Sequence, residues 1–187
     1  VEDLCPYFGV LWPAARALTE HLERMSGWLK GKTVLELGCG LAAPSIMAAK
    51  LGARVLASDF HPEVPVFLKK NLNLNPEAIK HIEYCNIDWR SDFTNIASQV
   101  SPNIALQLKT GFDFVIGSDV LYEAHHPESL ARALVKFCHK SSHIILTDPG
   151  RVYLQTAISE LEKLGFQHDT FIREVLDSQS DRAGDKN

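Results

Sequence analysis

Two hydrophobic periods alternate along the chain. Short β-branched and apolar runs recur at residues 33–37, 54–58, 82–87, 112–118 and 143–147, and a run at 166–175 reads as a sixth strand. Between them, apolar residues return at intervals of three and four. Ala14, Ala17, Leu18, Leu22, Met25 and Leu29 form one helical stripe, started by Pro13 and stopped by Gly31. Pro44 opens a second helix, which Gly52 breaks. Pro62 opens a third, running to about residue 74 with Val64, Phe67, Leu68 and Leu72 facing inward. Pro127 opens a fourth, carrying Leu130, Leu134 and Phe137, and a last helix covers about residues 153–164 before Gly165. Residues 92–110 are the least regular, with a short helix at about 96–100 and a break at Pro102.

This alternation predicts an α/β, Rossmann-like fold: a mainly parallel central sheet with helices on both faces and an added N-terminal helix. Ligands of such a sheet bind at the carboxyl ends of its strands. One domain is expected across residues 1–187, with 1–30 forming an N-terminal lid and helix and 177–187 a polar, disorder-prone tail. The net charge of −4 and the lack of a basic run argue against a nucleic-acid partner. No apolar stretch approaches the ~20 residues of a membrane span. Cys5, Cys39, Cys85 and Cys138 are scattered, with no Cys-x-x-Cys pair and no signal peptide. Free thiols in a reducing, cytoplasmic compartment are therefore expected. The chain starts at valine, so residues are expected before it.

The chemistry gathers at residues 32–59. A strand ends in Gly38-Cys39-Gly40-Leu41-Ala42-Ala43, a helix follows from Pro44, and a second strand closes at Asp59. Such a unit binds an adenosine-containing cofactor, with the acid on the ribose hydroxyls. The turn even fits a dinucleotide fingerprint that tolerates a final alanine. Two residues oppose a dinucleotide. Glu36 brings a carboxylate to the strand end, where a diphosphate meets like charge. Pro44 removes an N–H from the helix start that would otherwise cradle phosphate. S-adenosylmethionine, cationic and free of phosphate, suits the site better. Glu36-x-Gly38-x-Gly40 with Asp59 resembles motifs I and II of the class I S-adenosylmethionine-dependent methyltransferases. A glycine turn that merely packs a helix on a sheet is the plainer reading, opposed because the acids at the strand ends have no evident packing role.

Further positions join this site. The third strand stops at Asp88-Trp89, and in this fold type that end lies beside the adenine, so Asp88 is a candidate acceptor for the adenine amino group with Trp89 packed nearby. Both also read as an ordinary turn acid and a rim tryptophan. The aromatic stretch around Phe8 and Trp12 reads either as a hydrophobic lid over the sheet edge or as bringing Trp12 to the cofactor mouth. The fourth strand ends at Ser118, which joins the cofactor set, and Asp119-x-x-Tyr122 follows. An acid-x-x-tyrosine there resembles the post-strand motif of the seven-strand protein lysine methyltransferases, methyltransferase family 16. The Trp12-Pro13 pair and Asp148-Pro149-Gly150-Arg151 resemble the electron-transfer-flavoprotein branch. The resemblance implies methylation of a lysine in a protein substrate, leaving S-adenosylhomocysteine. Asp119 would hold the incoming cation, free of basic neighbours, and Tyr122 would orient the amine. Ala42 departs from the glycine common in the family, and a seventh strand is not evident. Small-molecule N-methylation, as of nicotinamide, and a non-catalytic cofactor-binding module are the rival readings. His125-His126 lacks further metal ligands at a plausible spacing and reads as solvated loop histidines, and Cys39 reads as a small filler of the turn.

Overall fold

A computed structural model describes residues 7–91 and 93–170. Five parallel strands, β1 (Thr33–Leu37), β2 (Arg54–Asp59), β3 (Ile82–Asn86), β4 (Phe112–Ser118) and β5 (Cys138–Thr147), form one sheet in the order β3-β2-β1-β4-β5. The helices are α1 (Pro13–Arg24), α2 (Ser26–Leu29), α3 (Ala43–Lys50), α4 (Val64–Asn73), α5 (Pro102–Thr110), α6 (His126–Phe137) and α7 (Leu154–Lys163). The chain builds outward from β1 to β3, then returns to the other side of β1 as β4. That reversal opens a crevice between the carboxyl ends of β1 and β4.

The sequence reading places the five strands and most of the helices. The first helix breaks at Met25 into α1 and α2. The third begins at Val64 rather than Pro62, with Pro65 in its first turn. Pro102 starts a helix instead of breaking one: Ser101 caps α5 by accepting the Ile104 N–H, and Glu83 accepts from the Ser101 N–H and Oγ–H. Residues 166–170 carry no strand, and the rest of the expected sixth strand, with the tail, lies outside the described residues.

Side-chain alternation along the strands splits the core in two. Val34, Val55, Ala57 and Ile116 pack with Leu18 and Leu22 of α1, Ile46 of α3 and Leu68 of α4. Leu35, Leu37, Leu56 and Val115 pack on the opposite face with Ile104 and Leu108 of α5, Leu130 and Leu134 of α6 and Ala157 of α7. Helices thus cover both faces, as the near-continuous apolar character of β1 and β4 requires.

Glu36 shares the parity of Val34. Its side chain therefore points under α3 rather than out of the strand end, and Ser45 donates both its N–H (3.0 Å) and its hydroxyl to Oε2. Oε1 is buried with no partner among the described residues. Burial pushes the carboxyl up to about 8, with the Ser45 bonds opposing that rise. Glu36 has the packing role that its place in the sequence concealed, and its largely neutral carboxyl presents no full charge to a ligand. A diphosphate is disfavoured for another reason: Pro44 has no N–H, and that of Ser45 is already engaged.

Two tests follow from this architecture. A carboxyl whose pKa is raised by folding contributes stability that is complete below its ordinary value of 4.5 and is lost as pH rises through about 8. Glu36→Gln should therefore gain stability relative to wild type across that window, read as a difference in melting temperature that widens with pH; a constant difference would show a carboxyl that folding does not perturb. Gly111 sits at φ +93°, where an added Cβ would meet the backbone of His139 at 2.8 Å and Cys138 at 2.9 Å. Gly111→Ala should cost on the order of 1–3 kcal/mol in urea denaturation, and a neutral substitution would contradict this packing.

Candidate functional site

The turn after β1 is held in place by the end of β2. Gly38 and Gly40 take positive φ, and so does Ala42 at 59°. The Gly40 N–H donates to Asp59 Oδ2 (2.9 Å), and the Cys39 N–H donates to the Ser58 carbonyl (2.9 Å). Asp59 Oδ1 accepts the His61 N–H (3.0 Å), and Asn71 of α4 donates to the Leu41 carbonyl (2.9 Å). Burial raises the Asp59 carboxyl above its ordinary value, against the bonds from His61 and Gly40. A Cβ on Gly38 would lie 3.0 Å from Val120, and one on Gly40 would lie 3.2 Å from the Phe8 carbonyl. Glycine is thus required both for backbone angle and for space.

A cavity opens above this turn. Its walls come from the turn at 38–43, from Asp59, Phe60 and His61 at the end of β2, from Asp88, Trp89 and Arg90 after β3, and from Ser118, Asp119, Val120, Tyr122 and Glu123 at the end of β4. Tyr7, Phe8, Val10, Leu11, Trp12 and Ala15 line it from the N-terminal side. Phe8 rests on His61 (ring centroids 4.3 Å apart) and on Phe67 (5.2 Å). The Trp12 indole N–H donates to the Tyr7 carbonyl (2.9 Å), so Trp12 both lines the cavity and ties the lid. Thr147 at the end of β5 donates its hydroxyl to the Ala14 carbonyl (2.9 Å), fixing the start of α1 beside the mouth.

The structure brings nine of the ten sequence-chosen residues to this cavity: Trp12, Gly38, Gly40, Asp59, Asp88, Trp89, Ser118, Asp119 and Tyr122. Glu36 is the exception, one layer behind under α3. Asp88 faces the cavity with its carboxylate held by Arg90 through Nε (2.9 Å) and Nη2 (3.0 Å). Burial acts to raise the Asp88 carboxyl, but the Arg90 bonds outweigh it and hold it below its ordinary value. Trp89 is buried, not a rim residue, and its ring lies 5.3 Å from His126.

Asp119 departs from expectation most. It follows β4 at φ 55°, is almost fully buried, and accepts a hydrogen bond from Arg151 Nε. The carboxylate is not free of basic neighbours, because β5 ends beside β4 and its outgoing loop delivers Arg151 there. Asp148 shapes that loop by accepting the Gly150 N–H (2.8 Å) and the Arg151 N–H (2.6 Å). The pairing with Asp119 raises the Arg151 guanidinium further above its ordinary value.

Tyr122 stands edge-on to His126 (4.4 Å, 86°), and Tyr7 of the lid lies 6.2 Å away. Burial pushes the Tyr122 hydroxyl up to about 12. His126 is not a solvated loop residue. It is buried at the start of α6, accepts the Glu123 N–H at Nδ1 (3.2 Å), and is driven down to about 4 by burial, so it stays neutral. His125 is exposed, 3.4 Å from Glu123. Ligand atoms of Glu123, His125 and His126 lie within 4.8 Å of one another, and the Nδ1 of His126 accepts the Glu123 N–H. Burial raises the Cys39 thiol well above its ordinary value, ahead of the nearby Glu36 and Asp59, so it is a filler and no nucleophile. Sequence reasoning assigned no role to Arg151, Arg90, His61 or Ser45; only Arg151 left a signal, as the last residue of Asp148-Pro149-Gly150-Arg151.

These residues fit S-adenosylmethionine. The turn leaves no room for side chains where the backbone must approach a ligand. Each Asp59 oxygen keeps a lone pair for a ribose hydroxyl after accepting one N–H. The aromatic walls suit an adenine, and Pro44 brings no N–H to the start of α3.

A profile described as lysine methyltransferase matches residues 7–160. The electron transfer flavoprotein beta subunit lysine methyltransferase of Mus musculus is 28% identical over 148 residues, covering 78% of this chain and 51% of that protein. The histone-arginine methyltransferase METTL23 of Xenopus laevis is 34% identical over 122 residues, covering 64% and 47%. Among solved structures, the ribosomal protein L11 methylase of Lactobacillus delbrueckii subsp. bulgaricus superposes with a TM-score of 0.61 at 23% identity, over 86% of this chain and 72% of that one. The last likeness shows the fold, a Rossmann-like methyltransferase fold. The chain spans about half the length of the curated relatives it matches. With the glycine turn, Asp59 and the Asp119–Tyr122 pair meeting in one cavity, and with that profile covering most of its length, the chain belongs to the lysine methyltransferase family.

Proposed function

We propose that this chain is the catalytic core of an S-adenosylmethionine-dependent methyltransferase that modifies a lysine side chain of a protein. One observation carries the reading. The cavity that begins at Gly38, Gly40 and Asp59 continues without interruption to Asp119 and Tyr122 at the carboxyl end of β4. A cofactor seated on the turn has its reactive end toward that pair. S-adenosylmethionine supplies a methyl group on a sulfonium, and such a transfer needs no protein nucleophile, only aligned reactants and a nitrogen lone pair. Asp59 holds the ribose, Phe60 and Trp89 bound the adenine side, and Phe8 and Trp12 exclude water from above. Tyr122 offers an aromatic wall for the lysine stem and a hydroxyl that stays protonated at physiological pH.

Tyr122 is about one third exposed, and Tyr7, Val10 and Leu11 beside it are more so. A broad, partly apolar mouth supports a protein acceptor over an enclosed metabolite. The relatives include one named for arginine as well as those named for lysine, so the acceptor type is the first outcome to be read. The net charge of −4 supports a protein over a nucleic acid. The free thiols of Cys39, Cys85 and Cys138 support a reducing, cytoplasmic setting as part of the same proposal.

Incubation with methyl-labelled cofactor and a cell lysate, followed by mass spectrometry, should place label on lysine; label only on arginine, on nucleic acid or on a metabolite would overturn the reading. Asp59→Ala should weaken cofactor binding by about 1.5–3 kcal/mol, the worth of hydrogen bonds to a charged group, as measured by calorimetry. Asp119→Asn should nearly abolish protein labelling while leaving cofactor affinity within a few fold, and full activity in that variant would remove Asp119 from the acceptor site.

A further inference from the structure

Two of the acids around the cavity mouth are paired with arginines. Asp88 is paired with Arg90 and Asp119 with Arg151. Around the second pair stand Asp148 from its own loop, Tyr122 and Glu123 from the segment after β4, Asp59 from the end of β2, His126 from α6 and Tyr7 from the lid. Asp148 accepts two backbone N–H groups at Oδ1, its Oδ2 being buried with no partner among the described residues, and Asp59 accepts the Gly40 N–H at Oδ2 and the His61 N–H at Oδ1. Glu123 is exposed beside His125, where solvent screens it. His126 and Tyr122 are neutral at physiological pH.

An ammonium group reaching Asp119 thus meets a guanidinium already bonded to that carboxylate. Its attraction to the acid is offset by repulsion from Arg151. A neutral amine suffers no such repulsion. Oδ2 of Asp119 has no hydrogen-bond partner among the described residues, so it remains available to accept an N–H from the amine. We propose that Arg151 is a positioning residue that neutralises Asp119, so that the acceptor lysine is taken up as the free amine, its proton having passed to bulk water before it docks. The inference rests on the lysine reading above and adds the protonation state in which the acceptor binds. Were Asp119 uncompensated, it would hold the ammonium, which has no lone pair, and deprotonation would become part of the chemical step.

The consequence is a split between KM and kcat. A lysine side chain titrates near about 10.4 in solution. If only the free amine binds, KM for the acceptor should fall about tenfold per pH unit between about pH 7 and pH 9, with kcat flat. In Arg151→Gln, which keeps a hydrogen-bond donor without the charge, the ammonium should bind as well. KM should then be nearly flat with pH and kcat should climb. Arg151→Lys, which restores the charge, should return the wild-type split. Groups common to all three proteins, Glu36 included, cancel in the comparison.

The experiment uses the lysate protein that carries the label, purified in unmethylated form, as acceptor. A readout independent of turnover comes from calorimetry of that acceptor with enzyme loaded with S-adenosylhomocysteine, in buffers of different ionisation enthalpy. Wild type should release about one proton per acceptor bound near neutral pH, and Arg151→Gln close to none. A wild-type enzyme that binds its lysine without proton release overturns the inference by itself, whether or not the variant folds. So does an Arg151→Gln enzyme whose activity drops while its pH dependence stays in KM, since that is how a purely structural residue behaves. Label on a residue other than lysine removes the parent reading first; label on lysine with an unmoved pH split removes only this inference.

Discussion

The structure depends on the clasp between the end of β2 and the turn after β1. Asp59 and Ser58 accept the N–H groups of Gly40 and Cys39, and these bonds hold three residues of the turn at positive φ. A backbone in that conformation needs outside support, most of all at Ala42, whose side chain makes it costlier than at glycine. With the clasp in place, the chain leaves β1 with room above it, and α3 starts close enough for Ser45 to reach Glu36. The same carboxylate that clasps the turn lines the cavity above it.

The other half of the cavity rests on parallel neighbours. β4 and β5 run side by side, so the segments leaving their carboxyl ends emerge together, and the Asp119 N–H is fixed to the Thr147 carbonyl (2.8 Å). Asp119 is held at positive φ there, and Arg151 closes on it from the next loop. A short acid at positive φ is thus tied both through its backbone and through its side chain. The lid is of a different kind. Phe8 and Tyr7 meet the body of the domain through ring contacts, and Trp12 is tied to the Tyr7 carbonyl.

Charge in the site is set as much by burial as by residue type. Glu36 and His126 are both ionisable, and both are held largely neutral because desolvation penalises their charged forms. Asp88 and Asp119, in contrast, keep basic partners. The aligned relatives divide between names specifying lysine and arginine, yet they share this core with the chain.

A family resemblance pointed to Asp119 and Tyr122, while the local code alone determined the order of strands and helices, the glycine turn and the closing acid Asp59. These rest on short-range rules: apolar period, the φ demanded of a turn, and the habit of parallel sheets to bind ligands at carboxyl ends. α5 was misread because Pro102 ends one helix pattern and begins another equally well; the Ser101 cap, itself held by Glu83 from a distant strand, decided the matter. Glu36 was misplaced because a motif shows spacing and not the face to which a side chain turns; that followed from its parity with Val34 in a sheet covered on both sides. Arg151 lies 32 residues from Asp119 in the chain, and no local pattern joins them. Only the side-by-side docking of β4 and β5 brings guanidinium to carboxylate, and with it the electrical character of the site.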